Sequence, residues 1–177
     1  VGHLALSTNT TAENSTAVGA DALLTNDGSN NTGIGTNALK LNTTGTQNTG
    51  VGHNALTSNT TASQNTAVGQ ESLKANTTGT ANVAVGAEAL KANTTADNNT
   101  AVGMNSLLAN TTGAGNTALG KEALYTNNGT DNVAVGRDAM YANTTGGNNV
   151  AVGTNALDSN TTGSETVAIG QAALATM

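Results

Sequence analysis

The chain has no cysteine, no proline, no tryptophan and no phenylalanine, and its two tyrosines make aromatic residues only 1% of 177 positions. Without cysteine there is no disulfide, no thiolate nucleophile and no zinc thiolate site. Aromatic side chains each bury on the order of 150–250 Å² in an ordinary core, so a core made without them has to be thin and built mainly from Leu, Val and Ala. Basic residues are scarce too: five Lys and Arg stand against eleven Asp and Glu, a formal net charge of −6. That balance excludes the phosphate-neutralising patch of a nucleic-acid binder, and bases would find almost no rings to stack on. No apolar run approaches the roughly 20 residues of a membrane-spanning helix. Charged residues amount to only 9%, too few for a chain kept disordered by self-repulsion.

What the sequence has instead is a repeat. Gly2, Gly19, Gly35, Gly52, Gly69, Gly86, Gly103, Gly120, Gly136, Gly153 and Gly170 are each preceded by Val, Ile or Leu, at spacings of 17 eight times and 16 twice. The unit reads N-T-A-V-G-x-x-A-L-x-x-N-T-T-G-x-x and accounts for essentially all of residues 1–177, which makes one array and not several domains. Both short units lose their residue where N-T-T-G/A becomes Asn26-Asp27-Gly28 or Asn127-Asn128-Gly129, which marks a loop. A unit of this length is too short for helical-pair repeats, which need roughly 33–47 residues, and suits one coil of a β-solenoid. The expected fold is therefore all-β: a parallel β-solenoid, or β-roll, of about eleven coils of 16–17 residues.

Four columns define each coil. Thr-Ala-Val-Gly alternates β-branched and small residues and predicts a strand that stacks on its equivalent about 4.8 Å away. The x-x-Ala-Leu-x-x segment has helix-forming composition but hardly exceeds one turn, and a short second strand or a bend is expected there. Leu6, Leu23, Leu39, Leu56, Leu73, Leu90, Leu107, Leu124, Met140, Leu157 and Leu174 are expected to form a buried column. Asn-Thr-Thr-Gly and Asn-Asp-Gly are expected to turn the corner, because Gly and Asn accept positive φ. Their Asn residues, among them Asn42, Asn59, Asn76, Asn93, Asn110, Asn143 and Asn160, predict an amide ladder, and a second Asn column opens most units.

Within the strand, the Ala/Gly column faces opposite to both neighbours. One neighbour is Val18, Ile34, Val51, Val68, Val85, Val102, Leu119, Val135, Val152 and Ile169; the other is Thr16, Thr32, Thr49, Thr66, Val83, Thr100, Thr117, Val133, Val150 and Val167. If the small residues line the interior, the other two columns make an outward stripe about 50 Å long and roughly 500 Å² in area, near the limit that a soluble monomer exposes. The opposite register leaves a smooth Ala/Gly stripe outside. Either register points to self-association.

A family resemblance enters at these residues. Glu165-Thr166-Val167-Ala168-Ile169-Gly170-Gln171-Ala172-Ala173 and Asn82-Val83-Ala84-Val85-Gly86-Ala87-Glu88-Ala89 resemble the N-x-V-A-I-G-x-x-A head repeat of trimeric autotransporter adhesins. The longer unit is similar to repeats of phage tail fibres and bacterial surface proteins. The resemblance implies a left-handed roll, three chains packed through their valine strands around a threefold axis, and a homotrimeric fibre on a cell surface or virion. The unit of 17 is longer than that of the best-known heads, and the extra residues fall at the Asn-Thr-Thr-Gly corner.

Catalysis requires unlike groups converging at one place, whereas every column here is nearly uniform. His3 and His53 share a column but stand three coils apart, roughly 14 Å by the coil rise, too far to share a metal. Asp21, Glu71, Glu88, Glu122 and Asp138 read as a solvated face or as caps, and the glycine-rich nonapeptide of calcium-binding rolls does not occur. Neither a phosphate-cradling loop nor any other cofactor motif is present. The eight Asn-Thr-Thr triplets match the glycosylation sequon, but the corner-ladder reading is favoured because Asn also stands where no Thr follows. A polysaccharide-processing enzyme would need clustered carboxylates and aromatic platforms, and the sequence reading finds neither.

The expected role is thus structural: a fibre or adhesin segment, extracellular and not an enzyme, that joins copies of itself, most simply as a trimer. The chain starts in mid-strand at Val1 and stops at Met177, so an excerpt of a longer fibre protein, or a unit joined end to end in a filament, is expected. Receptor or glycan binding would fall to other parts of the polypeptide. The alternative is an ice-binding solenoid that uses the Thr-x-Val face, against which Val replaces Thr in four of ten coils.

Overall fold

The computed structural model describes residues 1–176 and forms an all-β parallel solenoid of about nine turns, with no helix among the described residues. Ten three-residue strands succeed one another: β1 (Thr16–Val18), β2 (Thr32–Ile34), β3 (Thr49–Val51), β4 (Thr66–Val68), β5 (Val83–Val85), β6 (Thr100–Val102), β7 (Thr117–Leu119), β8 (Val133–Val135), β9 (Val150–Val152) and β10 (Val167–Ile169). Each pairs in parallel with the next along the chain, in a single ten-stranded sheet. The register places equivalent residues side by side, Ala67 on Ala84 and Val68 on Val85, and it does not slip at the short units, where Thr16 pairs with Thr32. Before β1, the Val1 amine donates to Ala17 O at 2.6 Å and Gly19 N donates to Val1 O at 2.8 Å, but no strand forms there.

The strand's alternation is resolved in favour of small residues inside. Ala67, Ala84, Ala101, Ala118, Ala134 and Ala151 are wholly buried against the Leu column, where Leu23 to Leu157 are equally inaccessible. A small residue is needed at the strand centre because the interior beneath it is already filled: a Cβ on Gly33 would stand 3.1 Å from Leu23 Cγ. The glycine that ends each strand is fixed by both conformation and space. Gly52 has φ +134°, and a Cβ there would lie 2.5 Å from the carbonyl oxygen of Gly69 in the next coil.

The segment after that glycine is a run of turns, so the second strand that the sequence allowed is replaced by the bend. Its physical basis is alternation of hand. Glu71 (φ 57°) and Leu73 (φ 48°) are left-handed. Reversing the hand at every second residue directs successive N–H groups differently: Glu71 N donates to His53 O in the preceding coil at 2.9 Å and Leu73 N to Ala89 O in the following coil at 3.0 Å, whereas Asn76 N donates within its own coil to Leu73 O at 3.2 Å. The turn thereby stitches both neighbouring coils.

The Asn-Thr-Thr-Gly corner also differs from expectation. Gly45, Gly79, Gly113 and Gly146 do not adopt positive φ; the left-handed residue comes two positions later, at Gln47, Ala81, Gly115 and Asn148. Side-chain amides hold the corner instead. Asn65 and Asn76 each donate an Nδ2 hydrogen to the Gly79 carbonyl oxygen, both at 2.9 Å.

Candidate functional site

Three features of the coil could carry function: the interior amides, the outward strand face and the turn edge. The amides are fully enclosed. In the corner column, Asn59 Nδ2 donates to Asn42 Oδ1 at 2.7 Å, Asn76 to Asn59 at 3.0 Å, Asn93 to Asn76 at 2.8 Å and Asn110 to Asn93 at 3.2 Å. Beyond the short unit the ladder continues from Asn143 to Asn127 at 2.6 Å and from Asn160 to Asn143 at 3.4 Å. In the opening column the backbone N–H of Asn65, Asn82 and Asn99 each donates to the preceding Asn side-chain oxygen, at 2.9–3.0 Å. Buried amides with every bond made are structural, since a buried polar group left unpaired is costly. A glycan on Asn76 Nδ2 would replace one of the two hydrogens that make these bonds, in a residue with no solvent exposure.

The strand face carries the two aliphatic columns outward. Val18, Ile34, Val68, Val85 and Leu119 are between 37% and 48% exposed, while Val51, Val102, Val135 and Val152 are half-buried by their neighbours. At β10, Val167 and Ile169 reach 64% and 71%. Thr66, Val83, Thr100, Val133 and Val150 flank them, partly exposed, on the same face. The sheet brings all sixteen residues of the sequence-derived stripe onto one continuous, uncharged and in-register surface.

The turn edge gathers nearly all the charge pairing. All five basic side chains lie within 4 Å of a carboxylate: Lys40 with Asp21 (2.9 Å), Lys74 and Lys91 with Glu71 (3.0 and 2.8 Å), Lys121 with Glu122 (3.4 Å) and Arg137 with Asp138 (3.6 Å). Two lysines held by hydrogen bonds, Lys91 foremost and then Lys74, lower the Glu71 pKa from 4.5 to about 2. Burial pushes Glu122 upward, but a hydrogen bond from Asn105 and the charge of Lys121 more than offset it, leaving its pKa lowered. His3 stands 3.9 Å from Asp21, and no group of three or more His, Cys, Asp or Glu among the described residues could hold a metal ion.

Sequence reasoning missed one place on this edge. Tyr125 and Tyr141, in the same column one coil apart, stack with ring centroids 4.9 Å apart and planes 12° from parallel. Beside Tyr141 lies a recess of about 260 Å³ bordered by Glu122, Asp138, Asn155 and Asp158. Carboxylates and an aromatic platform therefore do meet. The signal was the breakdown of column uniformity: the position that holds Lys74 and Lys91 earlier holds Tyr125, Tyr141 and Asp158 later.

Compared with known proteins, the chain matches no family model, no curated protein and no solved structure.

Proposed function

We propose that the chain is a segment of a structural fibre or adhesin, a stalk or head carried outside a bacterial cell or on a phage tail, in which three copies join through the strand face. The observation that carries this reading is the stripe: ten rungs in register expose aliphatic side chains on one face of a single chain. Such a surface, about 500 Å² at the rung spacing, lies at the upper end of what monomers leave open. A threefold arrangement covers the stripe of every copy by the same contact, as closed symmetry requires. The resemblance to trimeric adhesin heads supports the same arrangement, with a left-handed coil and eleven coils counted from Val1. On this reading the segment belongs to a longer fibre, takes no cofactor and performs no catalysis. Other parts of the polypeptide would meet a receptor or glycan, and end-to-end neighbours extend the rod.

One observation favours a second reading. Thr occupies six of the ten rungs of one outward column, on a regular parallel sheet, as an ice-binding face would require. Light scattering combined with thermal hysteresis separates the two. The fibre reading expects three times the 17.2 kDa of one chain, and expects Val85→Asp to yield monomers, because three unpaired carboxylates would otherwise meet in an apolar contact. A monomer that depresses the freezing point would overturn it in favour of ice binding.

A further inference from the structure

The recess at the turn edge is chemically unlike the rest of the array. Tyr141 uses one ring face against Tyr125, at a spacing that matches the coil rise. Its other face looks along the axis towards the coil where the column carries Asp158, a side chain too short to supply a third ring. The gap so left is the recess of about 260 Å³, and Tyr125 is not among its bordering residues. Its lining is rich in acceptors: the carboxylates of Glu122, Asp138 and Asp158 against two neutral donor groups, the Asn155 amide and the Tyr141 hydroxyl. Lys121 and Arg137 reach Glu122 Oε1 and Asp138 Oδ2 at 3.4 and 3.6 Å, which leaves three carboxylates for two bases. Asp158 makes no ion pair among the described residues, and Asp138 Oδ1, screened from solvent, has no hydrogen-bond partner there.

We propose that this recess binds a guanidinium group, the arginine side chain of a partner protein, stacked on the free face of Tyr141 and hydrogen-bonded to Asp158. An aromatic face bordered by carboxylates calls for a cation. A guanidinium fits better than an ammonium because it is planar, carries five donors in a fixed fork and is less strongly hydrated. A saccharide suits the lining less well, since sugar hydroxyls must be met by donors as well as acceptors. None of the bordering residues belongs to the strand stripe, so the outcome does not depend on how the chains assemble.

The test uses the chain's own fluorescence. There is no tryptophan, and both tyrosines lie in this stack, so tyrosine emission reports on this place alone. The protein is titrated at constant ionic strength with N-acetyl-arginine amide, and in parallel with N-acetyl-lysine amide, maltotriose and calcium chloride. The expected result is a saturable change with the arginine amide in the millimolar range, weakened about fivefold or more for the lysine amide and by a similar factor in Asp158→Asn. Circular dichroism verifies that the variant is folded, and Tyr141→Leu, titrated by isothermal calorimetry alongside the parent chain, gives the same loss should Asp158→Asn not fold. A response that does not saturate, one matched by the lysine amide, calcium or maltotriose, or an affinity unchanged in the folded variants would overturn the proposal.

Discussion

Nine consecutive aliphatic residues of one column, Leu23 to Leu157 with Met140 among them, sit at φ between 48° and 53°, a region L-residues normally avoid. The left-handed conformation costs roughly 1–2 kcal/mol per residue, whereas fully burying a Leu side chain contributes about 1.5–3 kcal/mol, so burial wins and the column holds its hand. This was not legible in advance, because the sequence reading assigned positive φ by residue type, to Gly and Asn. Here tertiary packing, not residue preference, selects the conformation. Where the left-handed residue is not buried, preference reappears: Asn14, Asn30, Asn98 and Asn148 share the position of Ala81. Ala81→Asn is accordingly expected to stabilise the fold by about 0.5–1 kcal/mol, read from the urea midpoint. A second residue-scale outcome concerns acid. The Glu71 carboxyl has a folded pKa lowered to about 2, so its ion pairs contribute stability that is complete above the ordinary 4.5 and is lost as pH falls between these values. Both lysines are more than a third exposed, which screens the pairs and keeps the contribution small. Thermal unfolding at pH 5 and pH 2 should show Glu71→Gln losing less stability on acidification than the parent chain.

At the scale of the coil, the strand was legible, and the segment after it was legible only as a choice between a second strand and a bend. Strand residues announce themselves by alternation, and the loop by the two deletions. The short coils show how little is disturbed: where a full coil has Thr77 N donating to Thr94 O, Thr111 N donates to Asn128 Oδ1 at 2.8 Å, so a side-chain carbonyl takes the place of the absent backbone one. Asp27 does the same for Thr10, which lowers the Asp27 pKa. The segment after each glycine stayed open between strand and bend because its pattern depends on contacts with both adjacent coils, and no single coil contains them. The corner depends in turn on its amides. In Asn76→Ala, Asn59 Oδ1 loses its partner and the Gly79 carbonyl keeps only Asn65, at a cost of about 1–3 kcal/mol. Chemical denaturation measures it, and an unchanged midpoint would mean that the ladder is decorative.

For the molecule as a whole, near-uniform columns put like beside like over the length of the array. They produce a continuous core, two amide ladders and an aliphatic stripe; the columns were readable from the repeat, but which strand column faces outward was decided by the structure. They also explain why the recess beside Tyr141 was overlooked: averaging over coils discards the few positions at which one coil differs from the rest. The central claim is that sister chains cover the stripe, and the absence of cysteine makes a direct test available. Val85 is 37% exposed in the single chain, so a lone thiol at Val85→Cys would be open to reagent unless another copy lies over it. With Thr112→Cys as the exposed reference, the rate of reaction with a maleimide is the measurement. The account predicts that Cys at position 85 is protected in the native protein and reacts only when the assembly is unfolded; equal rates at the two positions would contradict it.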